Sequence, residues 1–305
     1  VLMANAVPVF VDIDPNTFNI DSSKIEQAIT NKTKVIMPVH ISGNPAEMDK
    51  IIKLSRKYNI KVIEDAAQAH GAEWDNRKVG ALGLGGIFSF QTSKNMSAGE
   101  GGAIISNDKG FIEKCFSYHN CGRTTDGQYY DHQLLGGNFR LNAIATSMLI
   151  PQIDSLNNDM DLRDKNRGIL DKELGQIKGL SINSAYEKTT RQSNHLYLLR
   201  YDSNEFNGVT REKFFSAMQA EGIYTYAGYK PLYREEIFLS NSDECPWLKD
   251  YDYTNLQMKN TEILADDESV WLKQNHLLGN DNDIQDIIDS FEKVTNVIRK
   301  QPELF

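Results

Sequence analysis

Residues 61–107 constrain the fold more than any other part of the chain: KVIEDAAQAHGAEWDNRKVGALGLGGIFSFQTSKNMSAGEGGAIISN. Val62 and Ile63 end in the acid pair Glu64 and Asp65. A second apolar run, residues 87–90, stops four residues before Lys94, and a third, residues 103–105, follows a glycine cluster. Short β-branched and aromatic runs closed by polar residues or glycine read as buried parallel strands with polar C-terminal ends. That pattern predicts an α/β fold. In open α/β sheets ligands sit at those strand ends, which brings Asp65, Gln68, Ser89 and Lys94 toward one crevice.

A lysine flanked by Ser93 and Asn95 and held near a carboxylate suits a covalent bond to a carbonyl cofactor. Pyridoxal phosphate needs such a lysine, together with an acid facing its pyridine nitrogen. On residue types alone a second reading stands beside this one. Lys94 is then a solvated loop lysine, as most lysines are, and Asp65 caps a strand.

Three blocks carry a resemblance: EDAAQAHG (64–71), GIFSF (86–90) and SKN…GEGGAI (93–104). In order and spacing they resemble the signature of the DegT/DnrJ/StrS sugar aminotransferases, pyridoxal phosphate enzymes of the aspartate aminotransferase superfamily. The likeness runs from Val7 to about Gly279. It implies the type I fold of these transferases, a mainly parallel sheet flanked by helices plus a smaller C-terminal α+β domain. It also implies that Lys94 is the Schiff-base lysine and Asp65 the partner of the pyridine nitrogen. Gln68 then approaches the phenolic oxygen and Ser89 the phosphate. GGNFRLN (136–142) resembles the family's GxNxR block, whose asparagine reaches the neighbouring subunit's cofactor phosphate. The role falls on Asn138 and implies a homodimer with shared active sites. From the residues alone, Asn138 and Arg140 equally well open a helix near Leu141. His195 and Tyr229 lie in regions near the substrate in similar proteins, although a tyrosine-rich stretch such as residues 224–233 also packs ordinary domain edges.

Family members carry a segment ahead of the match, with a Gly-Ser/Thr phosphate loop and an aromatic that stacks on the cofactor ring. Neither is in this sequence. The expectation is therefore an N-terminally incomplete cofactor-binding domain over residues 1–150, with a bridging helix and small domain over 151–305. The activity implied is amino transfer from glutamate or glutamine to a keto-sugar, nucleotide-linked, or to a keto-cyclitol, in the cytoplasm and for polysaccharide biosynthesis. One alternative is a non-catalytic homologue that keeps the fold. Another is a deoxysugar dehydratase; those relatives carry histidine where this chain has Lys94.

Composition narrows the partners. At 305 residues, 40% hydrophobic and 25% charged, the chain has an ordinary soluble composition. A net charge of −9 argues against a nucleic-acid backbone, which wants clustered lysine and arginine. Cys115, Cys121 and Cys245 form no CxxC pair and suggest no disulfide framework. His119, Cys121 and His132 match no common zinc spacing, so no metal is expected. No run approaches the roughly 20 apolar residues of a membrane span.

Along the chain, residues 7–13 and 34–39 read as strands. Asn44 and Pro45 read as the cap and first turn of a helix. Residues 108–119 and 141–150 read as helices, the latter kinked or broken at Pro151 and resuming from Ile153. Residues 195–201 and 268–272 read as strands, 240–260 as an irregular loop, and a last helix begins at Asp283 with an apolar stripe on one face.

Overall fold

The structure, a computed structural model, describes residues 1–128, 130–239 and 244–305. In chain order the regular elements are α1 (Ser22–Ala28), β1 (Val35–Ile36), α2 (Met48–Tyr58), β2 (Lys61–Asp65), β3 (Glu73–Trp74), β4 (Arg77–Lys78), β5 (Gly85–Ser89), β6 (Gly102–Ile105), α3 (Lys109–His119) and α4 (Ala143–Leu174). They continue with β7 (Leu180–Ile182), β8 (Thr189–Arg191), β9 (Leu196–Tyr201), α5 (Arg211–Ala220), α6 (Glu236–Leu239), α7 (Lys259–Ile263), β10 (Ser269–Lys273) and α8 (Asp281–Lys300). Two compact units result. One holds Asn31–Asp164 and Ala185–His195; the other holds Val1–Thr30, Lys165–Ser184 and Leu196–Phe305. The division at 164/165 and the expected boundary at 150/151 both fall inside α4.

The unit that contains Lys94 is built on a sheet of order β1-β2-β5-β6. Strands β1, β2 and β5 run parallel, with Ile36 beside Val62 and Asp65 beside Ile87. Helix α2 makes the crossover from β1 to β2 and buries Met48 and Ile51. Strand β6 is antiparallel to β5, which corrects the expectation of a third parallel run. A parallel pairing needs a crossover, usually a helix, and residues 90–101 contain none. The chain simply turns back.

Two further expectations change in this unit. Helix α2 starts at Met48 with Glu47 at its N-cap, not at Asn44 and Pro45. The Ala46 N–H donates to His40 Nδ1 at 3.0 Å, so the chain there serves a buried side chain before the helix can begin. Helix α4 runs through Pro151 without a break. Proline removes one backbone donor from the ladder, and its neighbours in the helix carry the turn past it.

In the other unit the sheet order is β10-β9-β7, antiparallel throughout. Its core gathers Tyr201, Phe206, Phe214 and Phe291 with the stripe Ile284, Ile287, Ile288, Val294 and Ile298 of α8. Tyr201 stacks on Phe206 at 4.5 Å and on Phe214 at 4.9 Å between ring centroids. Helix α8 begins at Asp281, where Asn280 and Asp283 form a capping box that satisfies donors at the helix start. Residues 7–13 are not a strand: only Ile13 bridges, to Ile20. That segment is held by side chains instead. Phe10 packs against Tyr233, Phe238 and Tyr253, and the Tyr253 hydroxyl donates to Pro8 O at 2.8 Å. Of the stretch read as a loop over 240–260, residues 240–243 lie outside the described residues; the rest holds a 3-10 turn at Pro246–Leu248 and the start of α7.

Candidate active site

Strand alternation separates the two acids that end β2. Successive side chains on a strand point to opposite faces. Glu64 is fully buried, while Asp65 is half-buried. Glu64 accepts the backbone N–H groups of Gly80 (2.6 Å), Leu82 (2.7 Å) and Gly83 (2.8 Å). Its Oε2 also lies 3.0 Å from His40 Nε2. Because Ala46 donates to His40 Nδ1, the ring proton sits on Nε2 and is donated to Glu64. Burial pushes the Glu64 carboxyl up, but His40 and the Gly83 and Gly80 donors outweigh it and hold the group below its ordinary range. Glu64 therefore clamps the 80–83 loop beneath the sheet, and Asp65 is left for the strand-end crevice. The Asp65 backbone is fixed between Pro38 and His40, and its Oδ1 accepts the Ala67 N–H at 3.1 Å.

Lys94 follows the neighbouring parallel strand. Ser89 closes β5, and its Oγ accepts the Gln91 N–H at 3.3 Å. Gln91 in turn shapes the lysine turn: its Oε1 accepts from Ser93 N and Oγ, and its carbonyl accepts from the Lys94 N–H. Lys94 is half-buried. Burial lowers the pKa of its amine, and the nearby Asp65 carboxylate pulls it partly back. A carboxylate and a partly desolvated amine at the ends of adjacent parallel strands make a site that can hold and release a proton at Lys94 Nζ.

A closed ring of hydrogen bonds ties this site together. The Ser42 N–H donates to Gln68 Oε1 at 2.7 Å, and Ser193 Oγ donates to the Gln68 carbonyl at 2.6 Å. Asn95 Nδ2 donates to the Ser193 carbonyl at 2.7 Å. Asn95 Oδ1 lies 3.1 Å from His195 Nδ1, and the His195 N–H returns to the Ser42 carbonyl at 2.8 Å. The segment 191–195 is also anchored to α4. Asn194 and Arg191 both donate to Asp164, at 2.6 and 3.1 Å.

Two buried histidines line the cluster. His70 packs against Phe88 and Phe90, and burial, with Lys94 and Arg163 adding to it, pushes its pKa down to about 4. Burial pushes His195 down to about 3, with Lys94, His70 and Arg163 contributing in that order. Both are neutral imidazoles at pH 7. Arg163, on α4, is buried as well, and burial lowers its pKa against the pull of Asp159 and Asp164.

The structure thus brings together Asp65, Gln68, Lys94 and His195, with Ser89 at the end of the strand that leads to Lys94. It does not bring Asn138 into the group. Asn138 is exposed, bridges to Asn120, and makes no side-chain hydrogen bond to the other site residues among those described. Tyr229 belongs to the other unit, where it is 59% exposed and meets Trp271 edge-on at 5.1 Å. Sequence reasoning missed Glu64, Ser42, His70, Asn95, Arg163 and Ser193. Only Glu64 had a signal, the period-2 alternation that must send it opposite to Asp65.

Known proteins resemble the chain along most of its length. The model of the DegT/DnrJ/EryC1/StrS aminotransferase family matches residues 1–292. A 3-amino-5-hydroxybenzoate synthase of Amycolatopsis mediterranei is 34% identical over 287 residues, 92% of this chain and 71% of that protein. An L-glutamine:2-deoxy-scyllo-inosose aminotransferase of Streptomyces paromomycinus is 32% identical over 308 residues, 96% and 72% of the two chains. The crystal structure of a 3-amino-5-hydroxybenzoic acid synthase superposes with a TM-score of 0.84 at 30% identity, covering 97% of this chain and 76% of that one.

Proposed function

The chain belongs to the DegT/DnrJ/EryC1/StrS aminotransferase family, whose members are pyridoxal-phosphate-dependent aminotransferases, and we propose that it acts on keto-sugars or keto-cyclitols with glutamine or glutamate as its amino donor and Lys94 as its proton-transfer residue. The observation that carries the reading is the half-buried Lys94 within electrostatic reach of Asp65 at the ends of parallel strands β2 and β5. Relatives named for L-glutamine and an inosose support a cyclitol acceptor and a glutamine donor. A nucleotide-linked keto-sugar is the other acceptor in this proposal, and polysaccharide biosynthesis in the cytoplasm is the setting that acceptor suits. No helix among the described residues is long and apolar enough to cross a membrane.

The donor set fits the cofactor. Lys94 offers an amine for its carbonyl carbon, Asp65 a carboxylate for the pyridine nitrogen, and Ser89 a hydroxyl for the phosphate. Gln68 already spends its Oε1 on the Ser42 N–H, so its amide nitrogen is the end that donates, as an anionic ring oxygen requires. When bound, pyridoxal phosphate supplies the sink for the electron pair left on carbon after deprotonation. This chain's part is proton management. Lys94 Nζ, its neutral form favoured by burial, takes the proton from the donor's α-carbon and later returns one as a general acid. Asp65 stands at the end of β2 within electrostatic reach of that amine. Exposed Asn138 suits a contact with a second copy, and we place the active form as a homodimer in which Asn138 serves the neighbouring subunit's phosphate site.

The test is direct. The purified chain is mixed with pyridoxal phosphate, reduced with borohydride and mapped by peptide mass spectrometry, and amino transfer is screened with glutamine against keto-cyclitols and keto-sugars. The expected result is a visible absorbance band, label fixed on the Lys94 peptide, and at least about a thousandfold lower turnover in Lys94→Ala. Label elsewhere, or native turnover in Lys94→Ala, overturns the assignment; a colourless, unlabelled protein favours a non-catalytic homologue.

A further inference from the structure

Asn95 follows Lys94 directly, and both ends of its carboxamide are committed. Nδ2 donates to the Ser193 carbonyl at 2.7 Å. A carbonyl accepts only, so this bond fixes Oδ1 as the end that faces His195 Nδ1 at 3.1 Å. An amide oxygen accepts only as well. The His195 proton therefore resides on Nδ1, and Nε2 carries the lone pair. The backbone of His195 is held separately by Ser42, and the preceding residues by Asp164 through Asn194 and Arg191. The imidazole has little freedom to choose another state.

We propose that Asn95 is a positioning residue for amino transfer: it locks His195 in the Nδ1–H tautomer, so that Nε2 remains the imidazole's acceptor beside Lys94 and orients the lysine while Nζ holds the transferred proton. The inference rests on the reading of Lys94 given above. Neutrality of His195 follows from the groups around it. Lys94 from the turn after β5, His70 from the turn after β2 and Arg163 from α4 all disfavour a second positive charge there, and burial disfavours it most. Asp164, on α4, is engaged by Asn194 and Arg191.

Two substitutions separate this role from a packing role. Asn95→Asp keeps an acceptor for Nδ1–H but places a negative charge beside the ring, which raises the histidine pKa by about one to three units. Asn95→Ala removes the acceptor. The primary readout is nitrogen NMR of the protein labelled with 15N-histidine and loaded with pyridoxal phosphate, with the His195 signals assigned by their loss in His195→Gln. In the unmodified protein His195 shows the Nδ1–H pattern and does not titrate between pH 5 and 9. In Asn95→Asp it keeps that pattern at pH 8 and titrates between about pH 4 and 6, and an acid limb appears in kcat/KM over the same range. In Asn95→Ala the tautomer preference is lost and kcat falls about 10- to 100-fold, with the donor KM within about threefold. An Nε2–H tautomer in the unmodified protein overturns the proposal. So does an Asn95→Asp profile superimposable on the unmodified one, a result that stands even if Asn95→Ala fails to fold. Borohydride labelling of Lys94 keeps the two readings apart. If the unmodified chain takes no label, the aminotransferase reading fails; if it labels and the histidine is indifferent to Asn95, this inference alone fails.

Discussion

Glu64 and Asp65 are adjacent acids that the strand sends to opposite sides, and the difference is measurable. Glu64 accepts two donors at each carboxylate oxygen: Gly80 and His40 at Oε2, Leu82 and Gly83 at Oε1. In Glu64→Gln one end of the side chain becomes a donor, and whichever way the amide turns it faces two N–H groups. With charged hydrogen bonds contributing about 1.5–3 kcal/mol each, the substitution is expected to destabilise the unit by roughly 3–5 kcal/mol. Chemical denaturation of the variant reads this, and a loss below about 1 kcal/mol contradicts the clamp. At this scale the sequence shows the chemistry-bearing types, Lys94 and Asp65, because they stand at the ends of apolar runs. It does not show Asn95, Ser42 or Ser193. Their partners are defined by folding: Asn95 and Ser193 are 98 positions apart, and no local pattern encodes that pairing.

Elements show where local preference yields to such pairings. The 3-10 turn Ile41–Gly43 lies between β1 and α2, and the Asn-Pro signal after it predicts a helix that begins only at Met48. What the turn serves instead is the site. Ser42 has φ 57° and Gly43 φ 85°, the left-handed region, and the Gly43 carbonyl accepts the Ser193 N–H. A Cβ at Gly43 would stand 2.8 Å from the Gln68 carbonyl oxygen and run into Ser193 Oγ. Gly43→Ala is therefore expected to cost about 2–4 kcal/mol, from left-handed backbone strain and overpacking together, with labelling of Lys94 reduced as well. Adding Ser193→Gly should recover only part of the stability, since the Gln68 carbonyl and the backbone strain remain; full recovery in the denaturation midpoint would contradict this account. The strands tell a similar story. Residues 103–105 are legible as a strand but not in direction, because direction depends on whether the connection contains a crossover helix. Residues 7–13 have strand composition but find aromatic side chains, not a ladder.

For the whole molecule the consequence is sensitivity to mild acid. His70 and His195 are buried, with pKa values pushed down to about 4 and about 3, against about 6.5 in an unfolded chain. Below pH 6.5 the unfolded state takes up protons that the folded state refuses. The stability these groups contribute is complete above that value and is lost as pH falls toward 4 and then 3. Near pH 5 each group lowers the unfolding free energy by about 1.4 kcal/mol per pH unit, so the pair removes nearly 3. Glu64, whose pKa is lowered, loses its contribution only as the pH falls below the ordinary glutamate range, so it does not obscure the window between pH 6.5 and 5. Denaturation midpoints at pH 7, 6 and 5 should therefore fall steeply for the unmodified chain. In His70→Gln, which has one titrating group fewer, the slope should be roughly half as steep. An unchanged slope in that variant would mean that His70 is protonated in the folded protein at pH 5. Lys94 would then share its pocket with a second positive charge, which would push the pKa of its amine below the value that burial alone sets.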